Sequence, residues 1–230
     1  MVLAGPLTKL VLWDFDGTLA IRPGLWRGCI VEIIERRHPD HVIDGDALRA
    51  ALHDGFPWHT PDVAHDHADD DAWWTALAPV LERACRAAGL TAGDAVSAAS
   101  DVRSCFAAAD AYVVYEDTVD ALTLLRDNGW RHAIVSNHVP ELEDLVHGLG
   151  LAEYFDAVFT SGRTGYEKPH RRAFELALAH LSPTHVWMVG DNPKADVAGA
   201  EALGIPAILV TREQGAMPLL DAARHILASS

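Results

Sequence analysis

The order of apolar and polar positions divides the chain into three stretches. Leu10 to Trp13 is a short continuous apolar run that ends abruptly in acid at Asp14, which predicts a fully buried strand. From Trp26 the spacing turns helical: Trp26, Ile30, Ile33 and Ile34 share one face of a helix over 26–37, closed by Pro39. Asp44 is placed to cap a short helix through Leu52. Gly55 to Pro61 is too rich in proline and glycine for regular structure, and 65–71, almost wholly His and Asp, reads as a solvated loop. Trp73, Leu77, Val80, Leu81 and Cys85 predict a helix over 72–88, ended by Gly89, and 91–109 predicts an alanine-rich helix. Nothing between Ala20 and Ala111 reads as a buried strand.

The third stretch alternates. Helices are predicted over 117–128, 141–149, 171–181, 195–203 and 217–227, with strands at 132–136, 157–160, 186–189 and 206–210. Strands separated by helices of this length predict a parallel sheet with right-handed crossovers. The expected fold class is therefore α/β. A doubly wound, Rossmann-like parallel sheet is built from 1–19 and 113–230, and an all-helical unit, 20–112, is inserted as a cap over one end.

Bulk properties narrow the function classes. A chain of 230 residues can bury a sizeable core. No run approaches the ~18 apolar residues of a membrane span, and the first residues lack a leader's layout, so no membrane partner is expected. Cys29, Cys85 and Cys105 are odd in number and widely spaced, which fits neither a disulfide framework nor a zinc site. Together these point to a soluble, reducing, cytoplasmic setting. The net charge of −15 argues against nucleic acid as a partner. It does not argue strongly against a small anion, because a bound dication reverses the sign inside one cleft. The 13 histidines are scattered, with His59, His65 and His67 the nearest to a group.

Candidate chemistry gathers where strands end. Asp14 and Asp16 are two apart and point to one side of extended chain; Gly17 allows the turn that follows, and Thr18 can hold it by a local hydrogen bond. Two carboxylates so close call for a cation or a shared proton, which implies a divalent metal, one Asp free to attack and one to move protons. Ser136-Asn137 closes the next strand as either an anion site or a helix cap. Lys168 precedes Pro169, a proline placed to open the next helix, and either aims at an oxyanion or lies on the surface. Gly190-Asp191 ends a further strand, where Asp191 suits a hard cation. Asp196 is placed to capture a metal-bound water, to orient Lys168, or to complement a helix dipole.

In order, each at a strand end of one sheet, these stretches resemble the haloacid dehalogenase-like hydrolase superfamily. Its four motifs are matched by Asp14-Phe-Asp16-Gly-Thr18, Ser136-Asn137, Lys168-Pro169 and Gly190-Asp191 with Asp196. The helical insert matches the position of the family's C1-type cap. The resemblance implies hydrolysis of a phosphate monoester of a small metabolite. Asp14 would be the nucleophile that becomes an aspartyl-phosphate, and Asp16 the acid that protonates the leaving oxygen and then activates water. Ser136 and Lys168 would hold the phosphoryl oxygens. Mg²⁺ would be bound by Asp14, the Asp16 carbonyl and Asp191, with Asp196 in a supporting shell; Thr18 and Asn137 are further supporting residues of the site. Asp16 favours phosphate chemistry over the namesake dehalogenation, and the lack of any lysine between Ala20 and Tyr112 disfavours Schiff-base phosphonate cleavage. A phosphomutase of the same fold, and a non-catalytic protein acting through a partner, remain as alternatives. Arg22, Trp26, Arg27, Trp58 and His59 are the candidates for substrate contact, the tryptophans either stacking on a flat or sugar-like leaving group or packing the helices around them.

Overall fold

The computed structural model describes residues 8–212 and 217–229; residues 1–7 of the expected core, with the reading of the chain's start, lie outside them. The first strand, β1 (Lys9–Trp13), is followed by a two-residue strand β2 (Ala20–Ile21). Five helices come next: α1 (Leu25–Arg37), α2 (Gly45–Ala51), α3 (Asp70–Ala87), α4 (Ala92–Ser100) and α5 (Val102–Phe106). Strand β3 (Val113–Val114) then leads to α6 (Thr118–Asp127), β4 (Trp130–Ser136), α7 (Leu142–Gly148) and β5 (Ala157–Thr160). The chain continues through α8 (Ser161–Thr164), α9 (Arg171–Leu181), β6 (His185–Gly190), α10 (Gly199–Glu201), β7 (Ala207–Leu209) and α11 (Leu219–Ala228).

Five strands form one parallel sheet in the order β5-β4-β1-β6-β7, which puts β1 at its centre. Period-2 alternation explains why both faces are covered. Leu10 and Leu12 of β1 pack with Val135, Met188 and Phe174 of α9 on one face. Val11 and Trp13 pack on the other with Leu122 of α6, Leu145 of α7 and Ile226 of α11. Each apolar side chain buried in this way contributes on the order of 1.5–3 kcal/mol. The α/β, doubly wound expectation holds.

The five inserted helices have an apolar cluster of their own, with Ile30, Ile33, Leu77, Leu81, Ala98 and Phe106 at its centre. Where this segment leaves and re-enters the sheet, β2 and β3 pair antiparallel, Ala20 opposite Val114 and Ile21 opposite Val113. Strand β2, half-buried at Ile21, falls in the stretch where no buried strand is expected: two residues are too few to show a pattern. The predicted 91–109 helix is two, α4 and α5, broken at Asp101, whose carboxylate accepts from Arg37 Nε at 2.7 Å. The histidine-aspartate loop gives its last two residues to α3, because the Asp69 carboxylate caps that helix by accepting from Ala72 N at 2.8 Å. Pro169 does not open a helix, since α9 begins at Arg171 with His170 as its cap. The predicted 195–203 helix starts earlier, as a wide turn over Pro193–Ala198. All three cysteines are free and buried. Among the described residues, no helix is long and apolar enough to cross a membrane.

Candidate active site

The carboxyl end of the central strand is where an open α/β sheet leaves a crevice, and β1 delivers Asp14 to it. Asp14 N still donates to Val189 O at 2.9 Å, so the backbone there is locked to β6 while the side chain leaves the sheet. The chain then turns sharply, with the amides of Thr18, Leu19 and Ala20 all directed at Phe15 O. Gly17 sits at φ 80°, and a Cβ there would meet Asp191 Oδ2 at 2.2 Å. Both the turn and the close approach of Asp191 therefore require glycine.

Three donors converge on Asp14. Ser136 Oγ and Lys168 Nζ each donate to its Oδ1 at 2.8 Å, and Thr18 Oγ1 contacts Oδ2 at 3.4 Å. Lys168 also donates to Asp196 Oδ1 at 2.5 Å, and Asp196 Oδ2 accepts from Asn192 N at 2.9 Å. Asp196 thus touches Lys168 and also stands with Asp14 and Asp191 in the acidic cluster. Gly190 makes room for this, because a Cβ there would lie 2.2 Å from Asp196 Oδ2. Asn137 fixes the lysine's backbone from both sides, donating to Lys168 O at 2.9 Å and accepting from Lys168 N at 2.6 Å. Lys168 is buried. Burial disfavours its charge, but Asp14 and Asp196 outweigh that and raise its pKa.

The carboxylates are strained electrostatically. Burial, then repulsion from Asp14 and Asp191, raises Asp16 well above the usual carboxylate range. Burial, then Asp14 and Asp196, pushes Asp191 up to about 7. Asp14, Asp191 and Asp196 each bring an oxygen within 4.8 Å of the others. Asp16 Oδ1 is buried with no hydrogen-bond partner. An all-oxygen set with an orphaned carboxylate atom and mutual repulsion fits a hard dication.

The cleft above these groups has a volume of about 380 Å³ and includes every core-motif residue expected there except Thr18, which is buried behind Asp14. Trp26 and Trp58 line it, with Leu25, Pro61, Asn192 and Lys194. Three expected contacts do not reach it. Arg22 is buried and turned inward, donating to Glu32 at 2.7 Å and contacting Cys105 Sγ at 3.2 Å. Arg27 is exposed and borders a separate groove with Asp46 and Arg49. His59 faces another depression with Asp54 and His65. His59, His65 and His67 do not converge as metal ligands among the described residues.

One neighbour of the site was not foreseen. His138 Nε2 lies 3.3 Å from Asp16 Oδ2 and 3.3 Å from the Tyr112 hydroxyl, and the ring is edge-on to Phe15. Burial pushes its pKa down to about 4, so the ring is neutral near pH 7. The available signal was its place in the polar run Ser136-Asn137-His138 at a strand end.

A family model described as haloacid dehalogenase-like hydrolase matches residues 8–204. The phosphoserine phosphatase of Thermus thermophilus is 32% identical over 221 residues, 89% of each chain. Haloacid dehalogenase-like hydrolase domain-containing protein 3 of Homo sapiens is 39% identical over 121 residues, half of this chain and 48% of that protein. This chain thus aligns with about half the length of the human relative. Among solved structures, the HAD-hydrolase YfnB of Bacillus subtilis, bound to magnesium, superposes with a TM-score of 0.70 at 18% identity, covering 96% of this chain and 99% of that one.

Proposed function

The chain belongs to the haloacid dehalogenase-like hydrolases, and from that premise we propose that it is a Mg²⁺-dependent hydrolase of small-molecule phosphate monoesters. The observation that carries this reading is the convergence of Ser136 Oγ and Lys168 Nζ on one oxygen of Asp14. A nucleophilic carboxylate held by a hydroxyl and an ammonium has donors beside it for the oxygens of an incoming phosphoryl group. Phosphatases among the relatives, the phosphoserine phosphatase above and a glyceraldehyde 3-phosphate phosphatase, support the reaction class.

Asp14 attacks phosphorus and the bond to the leaving oxygen breaks, its proton coming from the Asp16 carboxyl. Asp16, now a carboxylate, takes a proton from water as that water attacks the aspartyl-phosphate, releasing phosphate and restoring Asp14. Ser136 and Lys168 hold the transferred oxygens, while Asp196 and Asn137 keep Lys168 in place. Asp14, Asp191 and the Asp16 backbone carbonyl are the groups to hold Mg²⁺, which would neutralise phosphoryl charge. We read 20–112 as a cap over a core of 1–19 and 113–230; its separate apolar cluster and the β2–β3 ribbon at its base support this.

The test is phosphate release from a panel of monoesters, with Mg²⁺ and with chelator. Metal-dependent turnover should fall at least about a thousandfold in Asp14→Asn. Equal rates in parent and variant would sink the reading. Isotopic label moving within a sugar phosphate, without free phosphate, would select the mutase instead.

A further inference from the structure

The cleft has one wall made of rings. Trp26 stacks on Phe106 with centroids 4.0 Å apart and planes 13° apart, and Trp58 stacks on Phe56 at 4.5 Å and 14°. The two tryptophans stand 5.9 Å apart, tilted by 32°. Each is therefore braced by another ring, Trp26 by Phe56 and Trp74 as well, and both line the space over Asp14. Braced aromatics lose little freedom when a ligand docks, which favours affinity. Leu25, beside them, holds a left-handed φ of 45°, a conformation that costs a residue with a side chain roughly 1–2 kcal/mol. Strain of this kind persists where surrounding structure imposes it, and it gathers at ligand sites.

The opposite wall is acidic. Asp14, Asp16, Asp191 and Asp196 face two lysines, and Lys168 is already committed to two of those carboxylates. A dication and a phosphoryl dianion would leave no positive charge over. The remaining cation, Lys194, is exposed, where water screens its charge. Among the described residues no arginine lines the cleft: Arg22 and Arg27, which follow Asp14 most closely in sequence, are directed elsewhere. A second anionic group on the substrate has nothing buried to meet. The volume, about 380 Å³, lies near the small end for ligand sites and leaves room for a phosphoryl group and one ring.

We infer that the leaving group of the substrate carries a flat, uncharged ring that docks on the Trp26–Trp58 wall, and that this enzyme discriminates against substrates whose second polar group is a carboxylate. This deepens the phosphatase reading and rests on it. It also separates this chain from its relative that acts on phosphoserine, whose substrate carries a carboxylate.

Calorimetric binding of two non-hydrolysable probes in Mg²⁺ tests the ring site without turnover. The parent should bind benzylphosphonate about tenfold more tightly than phosphonoacetate. Trp58→Phe, which keeps a ring, should retain most of that preference. Trp58→Leu, which keeps an apolar side chain but no ring, should reduce it roughly 2- to 10-fold, the range for a lost aromatic pair. Near-ultraviolet circular dichroism establishes that each variant is folded. Phosphonoacetate binding as tightly as benzylphosphonate, or a preference unchanged in Trp58→Leu, overturns the inference. Phosphate release from benzyl phosphate by parent and Asp14→Asn is followed in parallel. Metal-dependent release with no ring preference refutes the ring site alone, whereas ring preference with no release refutes the phosphatase reading and leaves the ring site standing.

Discussion

Glu167 offers a direct test of the electrostatics around the lysine loop. Its side chain is buried, and its Oε2 has no hydrogen-bond partner. Burial pushes its pKa from 4.5 up to about 7, while the Ser161 hydroxyl and the Lys168 ammonium pull the other way. The folded protein thus holds this proton more tightly than the unfolded chain does. The resulting stability is fully present below about pH 4.5 and is lost as pH rises through about 7. The full shift is worth about 3 kcal/mol, of which roughly 2 kcal/mol falls between about pH 5.5 and 8.5. Glu167→Gln removes the titration while keeping the shape. Parent and variant are unfolded in urea at both ends of that window, with tryptophan fluorescence as the probe. Asp16, Asp191 and Asp196 titrate in both proteins and cancel in the comparison. The variant should gain about 2 kcal/mol on the parent between the lower and the higher pH, whatever the offset between them. A stability difference that is the same at both ends would refute the burial argument.

The acidic cluster predicts that Mg²⁺ at about 100 times its dissociation constant stabilises the parent by about 2.7 kcal/mol, raising Tm by roughly 5–10 °C; Asp191→Asn should abolish that rise in a thermal melt. Lys168→Met leaves Asp14 and Asp196 buried without their counter-ion, and should cost about 3–5 kcal/mol in urea unfolding together with phosphatase turnover. Arg103 of α5 joins Asp71 of α3 to Glu141, which it reaches at 2.7 Å, and it is 40% exposed. Arg103→Ala should therefore cost about 1 kcal/mol or less at low ionic strength, and the cost should shrink in about 1 M salt, where surface ion pairs are screened.

The sheet and the carboxylates of the candidate site were legible in the chain because their causes are local. An apolar run ending in acid makes Leu10–Trp13 a buried strand and Asp14 its polar end, and Gly17 and Gly190 mark where the backbone must let Asp191 and Asp196 come close. Ser136 and Asn137 stand where β4 ends and Lys168 lies beyond β5 and α8, after strands whose patterns are equally plain. Other residues needed the folded chain. Arg22 and Arg27 follow the first motif closely, yet one is drawn inward to Glu32 and Cys105 and the other is turned to a different groove. Trp26 and Trp58 are 32 positions apart and become one wall only when Phe56 and Phe106 stack behind them. The link between Asp16 and His138 crosses from β1 to β4, and the pairing of Ala20 with Val114 spans the whole helical segment. Strand periodicity and turn chemistry are properties of neighbouring residues, so the sequence carries them. The direction a side chain of the helical segment takes, and the pKa of a carboxyl such as Glu167, depend on which distant groups exclude water from it, and only tertiary packing decides that.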